Sequence, residues 1–209
     1  MKKQKLYGVV LIGLLIAISI MIGLIVYQFT NGDDGKVIVD ENQQQLYKLP
    51  NNATEFQTLL FDELSLALET SETTKPELAG LIVKNFIADF YTWTNKKGTY
   101  DVGGLQFVYS PEILNIHSSA KNLFYVDLSY LMKQYDPSVL LEVDSINIKY
   151  VDPEANFIYG NTEYESYYVG AEWTYVVKDG FNEETYQTKG YFSVLVRDNK
   201  LEIYRYFEE

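Results

Sequence analysis

Asp89 is the side chain whose surroundings in the sequence best suit chemistry, because it stands among Phe86, Phe90 and Trp93 on an apolar, helix-spaced run. A carboxylate enclosed by aromatic groups loses hydration, its pKa rises, and it can act as a base or as a protonated donor. Tyr91, Tyr125, Glu172 and Trp173 are the residues that could complete such a pocket. The competing reading, adopted here, is that Asp89 caps or pairs locally while the aromatics fill the interior. No second catalytic partner can be assigned from the sequence.

Other chemistry finds less support. His117 is the single histidine, beside Ser118 and Ser119, and no G-x-S-x-G turn is present to make a nucleophile of a serine. With no cysteine there is no disulfide, thiol nucleophile or zinc ribbon, and no D-x-D-x-D-G loop suggests calcium. No metal and no cofactor are expected. The Asp33-Asp34 pair reads as solvated charge, and Gly103-Gly104 reads as a turn leading into an extended segment rather than a phosphate loop.

The elements that must position these residues belong to a chain of 209 residues, enough for one ordinary domain and a short anchoring segment. It is 47% hydrophobic and 15% aromatic, so a packed core is expected. Acidic residues outnumber basic ones 29 to 17, and a surface of that sign repels phosphate backbones, which argues against a nucleic-acid partner.

From Leu6 to Phe29 no residue is charged. At ~1.5 Å per residue this run spans the ~30 Å hydrocarbon layer, and it lacks the small-residue ending of a cleaved signal. Lys2, Lys3 and Lys5 precede it and Asp33 and Asp34 follow, so residues 1–5 are expected in the cytoplasm, 6–29 across the bilayer, and the remainder outside. Removing those three lysines leaves 14 basic residues against 29 acidic, 14 − 29 = −15 for the exported part. The expected location is therefore the cell membrane, single-pass, with an extracytoplasmic carboxy-terminal domain. Residues 30–54 are mostly polar and read as a tether, which leaves 55–209 as the exported domain.

Phe56, Leu59, Leu60, Leu64, Ala67 and Leu68 recur at helical spacing, and a second helix is expected from Thr74 and Pro76, with Glu77 closing a capping box. Its stripe, Leu78 to Trp93, is wide enough to be covered on more than one side, and Lys96-Lys97-Gly98 reads as its stop. Ser110-Pro111-Glu112 opens a short helix to about Ile116, and another helix is expected over 119–135. Beyond Pro137 the period becomes two. A first strand covers Val139 to Tyr150, with a bulge near Asp144 or Ser145 that keeps Val143, Ile146, Ile148 and Tyr150 on one face. Further strands follow over 164–177, 185–197 and 201–207, the last two joined tightly at Asp198-Asn199-Lys200. Helices followed by an antiparallel meander make an α+β fold.

Tyrosine is abundant, with 19 copies. Tyr164, Tyr168, Tyr191, Tyr204 and Tyr206 fall on the expected sheet and are candidate interface residues, since tyrosine joins apolar area to a polar tip. Strand propensity accounts for them equally well.

Helices followed by four long, curved antiparallel strands, with the helical run Asn85-Phe86-Ile87-Ala88-Asp89-Phe90-Tyr91-Thr92-Trp93, resemble the NTF2-like (cystatin-like cone) superfamily over roughly residues 75 to 207. With the amino-terminal membrane helix added, the plan is similar to the VirB8-like components of bacterial conjugation and type IV secretion machines. That resemblance implies a non-enzymatic scaffold that forms homo-oligomers and contacts other membrane or envelope proteins. The same superfamily implies an alternative, a small-molecule binder or an isomerase or hydratase using the cone pocket around Asp89.

Overall fold

The computed structural model describes residues 46–159, 161–197 and 200–208, with residues 207 and 208 described by their backbone alone. The expected cytoplasmic tail, membrane span and most of the tether lie outside the described residues, as do Asp198 and Asn199 of the expected tight connection. No helix among the described residues is long and apolar enough to cross a membrane.

Folded contacts begin ahead of the expected boundary at residue 55. Tyr47 is buried, its ring stacks on Phe107 at 5.2 Å, and its hydroxyl donates to the Leu201 carbonyl at 2.6 Å. Helix α1, Glu55–Glu69, starts at a capping box in which Thr54 and Gln57 satisfy each other's backbone N–H. Only part of its predicted stripe turns inward: Leu60 and Leu64 are buried, joined by Phe61 from outside the stripe, while Leu59 is 67% exposed. Its inward face rests on α2, Lys75–Phe90, which carries the expected Thr74/Glu77 box and first-turn proline.

Helix α2 is the centre of the domain. Its residues from Ala79 to Phe90 are buried except Lys84, because α1 covers one side and the sheet the other. Burying a large apolar side chain contributes ~1.5–3 kcal/mol, so Phe86, Ile87 and Phe90 together weigh heavily in a marginal balance. The helix ends at Phe90, short of the predicted Lys96-Lys97-Gly98 stop. The Leu141 carbonyl accepts from the backbone N–H of both Trp93 and Thr94, at 2.7 and 3.2 Å, and draws the chain away toward the sheet.

The two short helices also divide differently from expectation. A 3-10 turn at Ser110–Glu112 leads into α3, Ile113–Asn122, and α4 is Leu128–Gln134. The break falls at residues 123–127, where the chain turns Tyr125 into the core while Leu123 and Val126 stay exposed. The Tyr125 hydroxyl donates to the Phe90 carbonyl at 2.6 Å, a contact that binds this break to the end of α2.

Four antiparallel strands follow in the order β1-β2-β3-β4: β1 Val143–Tyr159, β2 Thr162–Tyr175, β3 Lys189–Arg197 and β4 Lys200–Glu208. The predicted bulge is present at Asp144, where Val143 and Ser145 face the successive residues Tyr175 and Thr174. A second, unforeseen bulge at Lys149 flips the phase again, so Val151 faces the core opposite Val169 and Tyr150 turns to the other face opposite Gly170. Residues 139–141 are not strand: Pro137–Val139 is a 3-10 turn, and Leu140 and Leu141 are both buried. Strand β1 instead continues through Pro153, which a sheet edge tolerates because no partner there needs its missing N–H. Its bulges and the charges of Asp144, Lys149, Asp152 and Glu154 guard that edge against chance pairing. At the opposite edge Val108 bridges Ile203 in parallel, and the Tyr109 N–H donates to the Ile203 carbonyl at 2.8 Å.

Candidate functional site

Asp89 does not sit alone in an apolar pocket. Its Oδ1 accepts from the Lys96 ammonium at 2.6 Å and its Oδ2 from the Gly104 N–H at 2.7 Å, and both charged side chains are buried. Local sequence makes this possible. The chain leaves α2 at Phe90 and folds back twice, first to bring Lys96 and then Gly104 onto Asp89, and Gly104 adopts φ 75°, which only glycine enters at little cost. Gly103 beside it has no space for a side chain, since a Cβ would lie 2.2 Å from the Asp89 carbonyl oxygen. The Gly103 N–H donates to the Tyr125 hydroxyl at 3.2 Å. Burial pushes the Tyr125 phenol well above its ordinary range, and the Asp89 charge adds to that, although the Gly103 bond works in the opposite direction. Nearby, Gln57 joins α1 to α2 by donating to the Ala88 carbonyl and accepting from the Asn95 amide, each at 2.8 Å.

The other pocket candidates are brought together as packed rings. Phe90 and Tyr125 lie 5.6 Å apart, Trp93 and Tyr125 6.2 Å, and Trp173 reaches the group through Tyr91 at 4.5 Å. Phe124 fills the space between them, 4.9 Å from Trp93 and 5.0 Å from Tyr91. The void beside Asp89 measures about 10 Å³, room for one water and no substrate. Glu172 does not join this group. It lies on the other sheet face, paired with Lys149 at 3.1 Å. His117 contacts the Tyr100 carbonyl at 3.3 Å, and no group of three or more His, Cys, Asp or Glu able to hold a metal occurs among the described residues.

The candidate interface tyrosines divide between the two faces. Tyr206 lies on the core side, 6.3 Å from Phe86 and 6.1 Å from Phe90. Tyr168 and Tyr191 lie on the outer face, stacked at 5.8 Å with rings 10° from parallel, and Tyr150 extends the row at 6.1 Å from Tyr168. Gly170 makes that row possible, because the Tyr150 ring covers it so closely that a Cβ would meet Cζ at 2.5 Å. The glycine was the one sequence signal that could have placed Tyr150 outward, since glycine inside a strand marks a close approach.

Tyr204 also faces outward, because a bulge at that residue interrupts the β3–β4 ladder between Ser193–Arg205 and Val194–Ile203. Its hydroxyl donates to Glu154 at 3.0 Å, and burial, with the Glu154 charge next, raises its pKa. Phe157 packs on it at 4.5 Å, and Tyr109 meets Phe157 edge-on at 5.8 Å. Tyr164 belongs to the same end of the sheet and faces Phe157 across the β1–β2 ladder. Beneath lies Glu202, 1% exposed, held between Arg197 at 2.8 Å and Lys200 at 3.1 Å. Between Tyr109, Glu112, Phe157, Tyr204 and Arg205 opens a cleft of about 320 Å³. Of these residues only Tyr204 stood out in the sequence, because segments 109–112, 157 and 204–205 are brought together by topology alone.

No protein-family model, curated protein or solved structure matches this chain.

Proposed function

We propose that this chain is a single-pass, membrane-anchored scaffold whose exported α+β domain, an NTF2-like cone, assembles with copies of itself and with other envelope proteins, in the manner of VirB8-like components of conjugation and secretion machines. The observation that carries the reading is the outer sheet face. The helices lie against the other face, and the Tyr150, Tyr168 and Tyr191 row offers ordered aromatic area of the kind enriched at protein interfaces. The uncharged run from Leu6 to Phe29 supports the anchor, and the lysines before it support a cytoplasmic amino terminus. The filled aromatic interior and the paired Asp89 support a structural rather than a catalytic use of the core.

The test is cross-linking in native membranes followed by purification of the full-length protein in detergent. Homo-oligomers and co-purifying envelope subunits are expected for the unaltered chain and for Tyr130→Ser, an exposed residue of α4. They should be lost in the Tyr168→Ser/Tyr191→Ser double variant while its unfolding midpoint stays near that of the parent. Recovery of the unaltered protein as a lone monomer would overturn the proposal.

A further inference from the structure

Where β1 passes into β2, the hairpin leaves apolar side chains in solvent. Ile158 and Tyr159, the last two residues of β1, are 68% and 58% exposed. Alternation sends neighbouring strand residues to opposite faces, so two exposed neighbours belong to the tip itself and not to one face of the sheet. Strand β2 pairs with β1 as far as Thr162 but with β3 only from Ser166 onward, so the tip stands on a single ladder. The chain enters the folded domain at this same end. The Tyr47 hydroxyl donates to the Leu201 carbonyl at 2.6 Å and accepts from the Leu201 N–H at 3.1 Å, and Leu201 is the second residue of β4. Antiparallel order puts the start of β4, the end of β3 and the β1–β2 tip at one end of the sheet. Rings and cations join the two: Lys200 lies over Tyr47 at 5.6 Å, Arg197 lies over Tyr109 at 5.2 Å, and Tyr109 meets Tyr159 edge-on at 6.2 Å. The opposite end is the length of β2 away, 14 residues or about 45 Å of strand at ~3.3 Å each. Val177, 81% exposed, stands just past that far end.

We propose that this tip docks on the surface of a lipid bilayer, with Ile158 and Tyr159 inserted into its interfacial layer. The inference rests on the reading of residues 6–29 as a membrane anchor. On that reading only residues 30–45 separate the bilayer from the point where the chain enters the domain, and a tether that short holds the tip near lipid at high effective concentration, so a weak apolar contact is enough. The residue types suit that layer. Isoleucine supplies apolar area, and tyrosine places a ring among the upper acyl chains while its hydroxyl stays at the headgroups. Charges near the tip are of both signs, Glu163 and Glu202 against Arg197 and Lys200, so apolar insertion and not attraction to anionic headgroups drives the contact. Docked this way, the strands stand upright on the membrane. The outer tyrosine row then points sideways, toward neighbours in the same bilayer.

The chain has no cysteine, so single cysteines can carry an environment-sensitive fluorophore. Full-length Ile158→Cys, Tyr159→Cys, Val177→Cys and Ile16→Cys are labelled and reconstituted in phosphatidylcholine vesicles, with iodide on both sides as the water-borne quencher and nitroxide lipid as the membrane-borne one. Emission from positions 158 and 159 should shift to the blue and be quenched by the nitroxide lipid, whereas position 177 should stay open to iodide alone. With the label moved to Thr162, exposed beside the tip, Ile158→Ser/Tyr159→Ser should lower the docked-to-free ratio at least about tenfold, the worth of one buried large apolar side chain. Its unfolding midpoint should stay near that of the parent. Lipid quenching at 16 together with iodide quenching at 158 and 159 would overturn the docking and leave the anchor standing. Iodide quenching at 16 would overturn the anchor and the docking with it. Shielding of 158 and 159 from both quenchers would put the tip against protein and overturn the assignment.

Discussion

If the Asp89–Lys96 pair is a structural element, removing one charge must cost far more than removing both. The ions are 2.6 Å apart, with side-chain exposures of 4% for Lys96 and 12% for Asp89. At an effective dielectric constant near 20, their attraction is about 6 kcal/mol, and it offsets a desolvation penalty of several kcal/mol per ion. Lys96→Met leaves a buried carboxylate whose remaining donor is the Gly104 N–H, and Asp89→Asn leaves a buried ammonium without a counter-charge, with the Asn95 oxygen and one amide oxygen that Lys96 and Gly104 both need. Each should cost ~3–5 kcal/mol. The double variant removes both charges and keeps an acceptor for Gly104, so it should cost only ~1–3 kcal/mol, a coupling of at least ~3 kcal/mol. The assay is urea unfolding of the full-length protein in detergent, followed by the fluorescence of Trp93 and Trp173, the two tryptophans of the chain and both buried. With a slope of ~1–3 kcal/mol per molar urea, each single variant should lower the midpoint by roughly 2 M. A loss under ~1 kcal/mol for Lys96→Met, or strict additivity in the double variant, would refute the reasoning. It would mean that Asp89 is solvated well enough to stand alone, as a catalytic base would.

Two further outcomes follow from the packing. Gly103→Ala should cost at least ~2 kcal/mol because its Cβ meets the Asp89 backbone, whereas Gly170→Ala displaces only the end of the Tyr150 side chain and should cost ~1 kcal/mol or less, a loss that shrinks when Tyr150 is already alanine; equal losses at the two sites in unfolding experiments would be inconsistent with these contacts. Alkaline pH should destabilise the domain. Burial raises the phenols of Tyr47, Tyr125 and Tyr175 above their ordinary value near 10, and burial together with the Glu165 bond takes Tyr167 to about 12. The folded chain therefore holds these protons at a pH where the unfolded chain has released them. Stability is complete below pH ~10 and falls above it, by about 1.4 kcal/mol per pH unit for each such tyrosine until its folded pKa is reached. A urea midpoint unchanged between pH 8 and pH 11 would contradict the burial of those hydroxyls.

Much of the fold was legible in local sequence. Thr74, Pro76 and Glu77 mark the start of α2 because helix ends need caps for unpaired N–H groups, and that need is met within a few residues. The alternation of Tyr167, Val169, Ala171, Trp173 and Tyr175 places all five on the buried face of β2. The bulge at Asp144 showed as a phase slip in the apolar pattern, Val143 then Ile146. The bulges at Lys149 and Tyr204 were harder to see, because Tyr150 and Tyr204 are tyrosines, which suit either face. So Tyr150 was expected inward and is outward, while Tyr206, expected with Tyr204 at an interface, packs on Phe86.

Periodicity and neighbours within a turn or two of the chain set the order of the helices ahead of the strands, the caps of the first two helices, and the central place of α2. Where α2 stops, what Asp89 faces, and which tyrosines share a surface depend on contacts between distant segments. The Leu141 carbonyl ends the helix path from some fifty residues away in the chain. The turn that follows places Lys96 against Asp89, and ladder register sets the side on which each aromatic ring emerges. These are long-range geometric facts. A one-residue shift in pairing reverses every later side chain in a strand, and no local pattern of residues records it when the side chains suit either face.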